Sequence, residues 1–188
     1  MDDGSDGVQP ESLAHVADPC GRFLRNPEDH FKVFGLERRF ELDEPRLEKS
    51  FLELSRALHP DRHRDLKEKT RALAATAAMN QAYGVLKDRT KRAEYLLKLL
   101  GGAPADKDKR TPPGFLTEVL EMREEVESTS ERARLEPLLA DLEGRERGAW
   151  SRIEQLFRAG DTSEIRLALN SLKYVTNLAE ELRKKLRG

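Results

Sequence analysis

The chain has 188 residues, enough for one domain or two small ones. Its 34 basic and 35 acidic side chains nearly cancel, with a formal net charge of -1, so no overall field favours nucleic acid or an anionic membrane. One cysteine and four scattered histidines exclude an internal disulfide framework and a four-ligand zinc site.

Residues 1–25 are rich in Asp, Gly, Pro and Ser and lack a sustained apolar period, which predicts a flexible N-terminal tail. The acidic N-terminus has no apolar core of a signal peptide, and no apolar run reaches the length of a membrane span. We therefore expect a cytoplasmic protein.

Four helices are predicted between residues 26 and 101. Asn26-Pro27 and Asp43-Glu44-Pro45 each place a capping side chain before an early proline, the pattern of a helix start. His59-Pro60-Asp61 ends the second helix, because a proline disfavours helical geometry at the preceding residue. The third helix is predicted over residues 67–87, and Gly101 ends the fourth.

A polar stretch punctuated by Gly and Pro predicts a linker at residues 102–113, between domains at 26–101 and 114–188. Three apolar stripes follow, from Phe115 to Val126, within about residues 130–158, and from Ile165 to Leu186. Matching stripes and short turns predict an antiparallel three-helix bundle, with Pro137 kinking the second helix or resetting its start. No segment has the period of a strand, so the predicted class is all-α.

The tripeptide His59-Pro60-Asp61 carries the clearest chemical signal. Its carboxylate can bind an arginine of a partner through two hydrogen bonds, and the proline reduces the entropy lost on docking. By itself the tripeptide is also consistent with a simple helix stop.

The preceding helix favours the functional interpretation. Arg46, Lys49 and Arg56 fall within an arc of roughly 80°, opposite the apolar stripe, although Glu53 lies in the same arc. Basic faces of this kind are usually only solvated. Because this one ends at the loop, it also fits a docking surface for an acidic partner.

Three segments resemble the first helices of a J domain: Phe31-Lys-Val-Phe-Gly-Leu36, Leu58-His-Pro-Asp-Arg62 and Met79-Asn-Gln-Ala-Tyr-Gly-Val-Leu86. In that family the loop contacts a DnaK-type chaperone and triggers ATP hydrolysis. The resemblance implies that this chain is no enzyme but an activator of its partner's ATPase. The implied chaperone-binding residues are His59, Pro60, Asp61, Arg46, Lys49, Arg56 and Arg62.

Further segments are similar to HscB-type (Jac-type in mitochondria) co-chaperones of iron–sulfur cluster assembly: 34–43, 92–97 and 115–126. The Gly/Phe-rich stretch and the cysteine-rich zinc module of general DnaJ proteins are absent from the sequence. The resemblance implies a J domain, an antiparallel helical hairpin with short helices, followed by a three-helix bundle. Its implied partners are an HscA/DnaK-type chaperone and an IscU-type scaffold. We expect a monomer without metal or cofactor.

Leu116 and Leu120 lie roughly 90–130° from the centre of the first bundle stripe. They fit either a recognition patch rimmed by carboxylates or a broadened buried face, and helical geometry alone favours neither. The resemblance favours the patch, with Thr117 where a larger Met can occur. The implied scaffold-binding residues are Leu116, Thr117, Leu120, Glu121, Glu124 and Tyr174.

Two other functions stay open at this point. The chain could be a J protein with a different client. Alanine at Leu116, Leu120 and Tyr174 should abolish scaffold-stimulated activity only if the client is the iron–sulfur scaffold. It could also be a structural or regulatory helical protein, in which case Asp61→Asn would change no partner interaction. An enzyme is disfavoured, because the sequence shows no carboxylate pair with His, no glycine-rich phosphate loop and no metal-ligand spacing.

Overall fold

A computed structural model of the chain describes residues 29–63 and 65–187, and for Pro60 the backbone only. This part of the chain forms seven α-helices and no strand, which confirms the all-α class. The predicted tail, the Asn26-Pro27 start signal and Arg64 lie outside the described residues. The helices are α1 (His30–Val33), α2 (Glu44–Ala57), α3 (Leu66–Lys87), α4 (Arg89–Leu99), α5 (Phe115–Ser128), α6 (Arg132–Ala159) and α7 (Thr162–Arg187).

The chain divides into two compact units, residues 1–92 and 93–188. This division falls within α4. The assignment of residues 102–113 as a linker stays a prediction.

In the first unit, α2 and α3 form an antiparallel hairpin. Phe51, at the middle of α2, stacks on Tyr83 near the end of α3, with ring centroids 4.1 Å apart. Toward the other end, the Ser55 hydroxyl donates to the sulfur of Met79 at 3.9 Å. Leucines on the same side of α2 are fully buried, so the hairpin is held by the predicted stripe. They are Leu47 and Leu54, together with Leu58 directly after the helix.

Capping carboxylates begin both hairpin helices. Asp43 Oδ1 accepts a hydrogen bond from the N–H of Arg46 at 2.9 Å, and Asp65 Oδ1 accepts one from the N–H of Glu68 at 2.8 Å. Each bond satisfies a backbone donor that has no partner inside its helix. The predicted start of α2 at Asp43 is confirmed.

Helix α1 is anchored by a buried carboxylate that the sequence does not single out. Asp29 Oδ2 accepts hydrogen bonds from Arg38 Nε at 3.0 Å and from its terminal nitrogen at 2.7 Å. Burial alone would raise the pKa of Asp29, but the bonds from Arg38 and from the N–H of Lys32 outweigh it and lower the pKa. These bonds fix the start of α1, from which the rings of Phe31 and Phe34 are buried in the core.

In the second unit, α5, α6 and α7 pack around one apolar core, as the bundle prediction requires. Gly160 ends α6 in the left-handed conformation, with φ of 75°, and the Asp161 carboxylate caps α7 by accepting from the N–H of Glu164 at 3.0 Å. Helix α6 is continuous through Pro137. The buried cluster consists of Val126, Leu135, Leu142, Val175, Leu178, Ala179 and Leu182.

Helix α7 also buries two polar side chains that the sequence analysis did not identify. Arg166 is 1% exposed, and its two terminal nitrogens donate to the two carboxylate oxygens of Glu94 at 2.9 and 2.5 Å. One turn further, Asn170 Nδ2 donates to the carbonyls of Asp108 and Arg110 at 2.9 and 2.8 Å. These bonds attach the part of α4 that belongs to the second unit, and the segment before α5, to the bundle.

Candidate functional site

The His59–Asp61 loop follows directly on the buried end of α2. Residues 60–62 form a 3-10 turn, closed by the N–H of Arg62 donating to the carbonyl of His59 at 3.0 Å. The N–H of Asp61 donates to Nδ1 of His59 at 3.3 Å. The Asp61 side chain is 89% exposed, so its carboxylate is open to a partner's donor.

A basic face leads along α2 to this loop. Arg46, Lys49, Arg56 and Arg62 are all exposed. Arg46 donates to the carbonyl of Gly35 at 3.1 Å, and Arg62 donates to the carbonyl of Arg56 at 3.4 Å, near the negative end of the α2 dipole. Within the described residues, no carboxylate pairs with Lys49 or Arg56, although Glu53 is on the same face. Their charge is therefore not neutralised by any carboxylate among the described residues.

The second surface lies on the bundle, at the start of α5. Leu116 and Leu120 are 45% and 59% exposed, whereas Val119 and Val126 are buried. The two leucines therefore do not broaden the buried face of α5.

The predicted acidic rim and the aromatic side chain are exposed with these leucines. Thr117, Glu121 and Glu124 occupy the same side of α5 as Leu116 and Leu120, three or four residues apart. Tyr174, on α7, is exposed too, and its ring meets that of Phe115 edge-on with centroids 6.2 Å apart. This contact places Tyr174 next to the residue that precedes Leu116.

The structure also reveals an exposed leucine that the sequence analysis did not weigh. Leu52 lies on α2 between Lys49 and Arg56, and it is 48% exposed. The only available signal was its position on a helix surface, which a count from the apolar stripe would have shown.

Over residues 29–63 and 65–187, no group of His, Cys, Asp and Glu side chains is arranged to hold a metal ion. Over the same residues, no helix combines the length and apolar character needed to cross a membrane.

Comparison with known proteins agrees with this two-part organisation. A DnaJ domain model matches residues 29–95, and a model of the HSCB C-terminal oligomerisation domain matches residues 111–183. A co-chaperone HscB homologue of Ralstonia nicotianae is 36% identical over 138 residues, covering 70% of this chain and 78% of that protein. A co-chaperone HscB homologue of Vibrio atlanticus is 34% identical over 161 residues, covering 82% of this chain and 94% of that protein. The chain belongs to the HscB family of co-chaperones.

Solved structures of HscB proteins share the fold. Human HscB superimposes with a TM-score of 0.74 at 26% identity, covering 84% of this chain and 81% of that chain. HscB of Vibrio cholerae superimposes with a TM-score of 0.71 at 30% identity, covering 83% of this chain and 96% of that chain. The resemblance to the HscB family is thus confirmed. HscB-type J-domain co-chaperones regulate a chaperone partner and are not themselves enzymes.

Proposed function

We propose that this protein brings an IscU-type iron–sulfur scaffold to an HscA/DnaK-type chaperone and stimulates the ATPase of that chaperone. The J domain presents the His59–Asp61 loop, and the bundle holds the scaffold. ATP hydrolysis then locks the chaperone onto the scaffold, which promotes cluster assembly and transfer. Membership of the HscB family supports this proposal.

The observation that supports the chaperone contact is the exposed Asp61 carboxylate at the end of a basic face, whose Lys49 and Arg56 have no carboxylate partner among the described residues. A partner arginine can take both oxygens of such a carboxylate, which gives strength and a fixed geometry. Lys49, Arg56 and Arg62 favour an acidic surface around that arginine and accelerate encounter. The 3-10 turn already fixes the backbone of the loop, so little entropy is lost on docking.

The scaffold half rests on the patch of Leu116, Leu120 and Tyr174, whose rim carries Glu121 and Glu124. Its apolar centre and acidic edge fit a partner surface that combines an apolar area with basic side chains. The patch and the loop belong to different units, which suits an adaptor for two partners.

The decisive experiment is the steady-state ATPase rate of the cognate chaperone with this protein and the scaffold, each alone and together. Together they should stimulate far beyond either alone, and Asp61→Asn should remove the effect. Asp106→Asn changes an exposed carboxylate in the second unit and serves as the matched control, with full stimulation expected.

Two results would change the conclusion. Stimulation by this protein with no added effect of the scaffold would identify a J protein with a different client. No stimulation of any DnaK-type chaperone would refute the ATPase-activating function itself.

A further inference from the structure

An exposed leucine borders the basic face of α2. Leu52 follows Lys49 by three residues and precedes Arg56 by four, so it neighbours both cations on the helix surface. Its side chain is 48% exposed, whereas the buried side of α2 is supplied by Leu47 and Leu54. Leu52 thus lies apart from the helix's core positions.

A single exposed leucine is common on protein surfaces and by itself indicates nothing. Leu52 is distinguished by its neighbours. Lys49 and Arg56 flank it without a carboxylate partner in the described part of the chain, and the face ends at the exposed Asp61 carboxylate. An apolar side chain beside exposed charges is a common element of protein-binding surfaces.

We propose that Leu52 is an apolar anchor of the chaperone-docking face, and that it inserts into an aliphatic depression bordered by carboxylates on the ATPase partner. This inference rests on the proposed function. It adds a contact on α2, away from the His59–Asp61 loop, that sets affinity for a particular chaperone.

The charges identify the occupant. In a two-fold contact between copies of this chain, Lys49 and Arg56 would meet like charges, because Glu48, the acidic neighbour of Leu52, is already bonded to Tyr83 and Lys87. An acidic surface instead pairs with both cations while Leu52 loses its contact with water. The partner is therefore a protein surface with carboxylates around an apolar depression.

The experiment is a titration of the chaperone's ATPase with the full-length protein carrying changes at position 52. Leu52→Ala should raise the concentration for half-maximal stimulation about tenfold and leave the maximal rate unchanged, because affinity and not the trigger is affected. Leu52→Asp should raise it further than Leu52→Lys, since only the aspartate opposes an acidic partner. Asp61→Asn should instead lower the maximal rate.

Leu73→Ala is the matched control, because Leu73 is 57% exposed on α3 of the same unit. It should titrate like the wild type within about twofold, as expected for a surface truncation outside an interface. Thermal unfolding should be unchanged for both alanine variants, since neither side chain is buried.

Three results would overturn the anchor. The first is a concentration for half-maximal ATPase stimulation that is the same for Leu52→Ala, Leu52→Asp and the wild type. If the wild type stimulates and Asp61→Asn does not, the proposed function is unaffected by that result. The second is an equal loss in Leu73→Ala. The third is a wild-type dimer in sedimentation that Leu52→Asp dissociates, which assigns the face to a second copy. A wild type that fails to stimulate overturns the proposed function and the anchor together.

Discussion

On the face of α2 that leads to the His59–Asp61 loop, Lys49 and Arg56 are exposed and have no carboxylate partner in the described chain. On α7, by contrast, Arg166 is 1% exposed and is held by both oxygens of Glu94. Lys49 and Arg56 are thus available to a partner, whereas Arg166 stabilises the second unit. The environment of a cation, and not its type, decides between the two roles.

The two exposed surfaces differ in charge and in apolar content. The α2 face is basic with a single leucine, while the α5 patch exposes Leu116, Leu120 and Tyr174 beside carboxylates. Attraction between exposed charges is screened by salt, but apolar burial is not. The first surface should therefore govern rate and salt sensitivity of docking, and the second the lifetime of its complex.

The largest expected effect is on scaffold binding by the apolar patch on α5. Replacing both Leu116 and Leu120 with Ala should weaken binding of an IscU-type scaffold about 100-fold, or about 3 kcal/mol, since apolar anchors dominate such interfaces. Isothermal titration calorimetry measures the affinity.

Leu100→Ala is the control for this pair of changes, because Leu100 is an exposed leucine elsewhere in the second unit. It should bind like the wild type, and so should Asp61→Asn. Equal weakening by Leu100→Ala would contradict a scaffold site at the start of α5.

The next effect concerns the stability of the second unit. Glu94→Gln should lower its free energy of unfolding by about 2 kcal/mol, because it removes the carboxylate that both terminal nitrogens of the buried Arg166 contact. The estimate is below that for a fully buried pair, since Glu94 is partly exposed. Urea unfolding followed by circular dichroism gives the change.

An exposed ion pair supplies the reference. Glu118 and Arg145 approach to 3.2 Å on the bundle surface, and Glu118→Gln should change stability by less than about 1 kcal/mol. If the two variants unfolded at the same urea concentration, the buried pair would have no special role.

The smallest effect distinguishes the surfaces by salt. Raising NaCl from about 50 to about 300 mM shortens the screening length roughly from 14 to 6 Å, which should weaken chaperone docking about fivefold. Scaffold affinity should change less than about twofold. Half-maximal stimulation and calorimetry report the two affinities, and parallel losses would remove the distinction between a charged and an apolar surface.

Much of the fold could be predicted because its signals are local. The start of α2 depends on Asp43 and an early proline, and the end of α6 depends on Gly160 in the left-handed conformation. The His59–Asp61 loop was found for the same reason, since Pro60 interrupts a clear apolar stripe. Leu100 shows the limit of the pattern: it continues the stripe of α4, yet it lies beyond the last helical residue and is exposed.

The sequence by itself determined the all-α class, the positions of most helices and the family to which the chain belongs. Only the tertiary structure decided that Leu116 and Leu120 are exposed, and that Arg166 and Asn170 are buried. A helical count gives the angle of a side chain around the axis of its helix. Whether a side chain at that angle faces solvent or protein depends on the neighbouring helices, because burial is a property of packed elements and not of one segment.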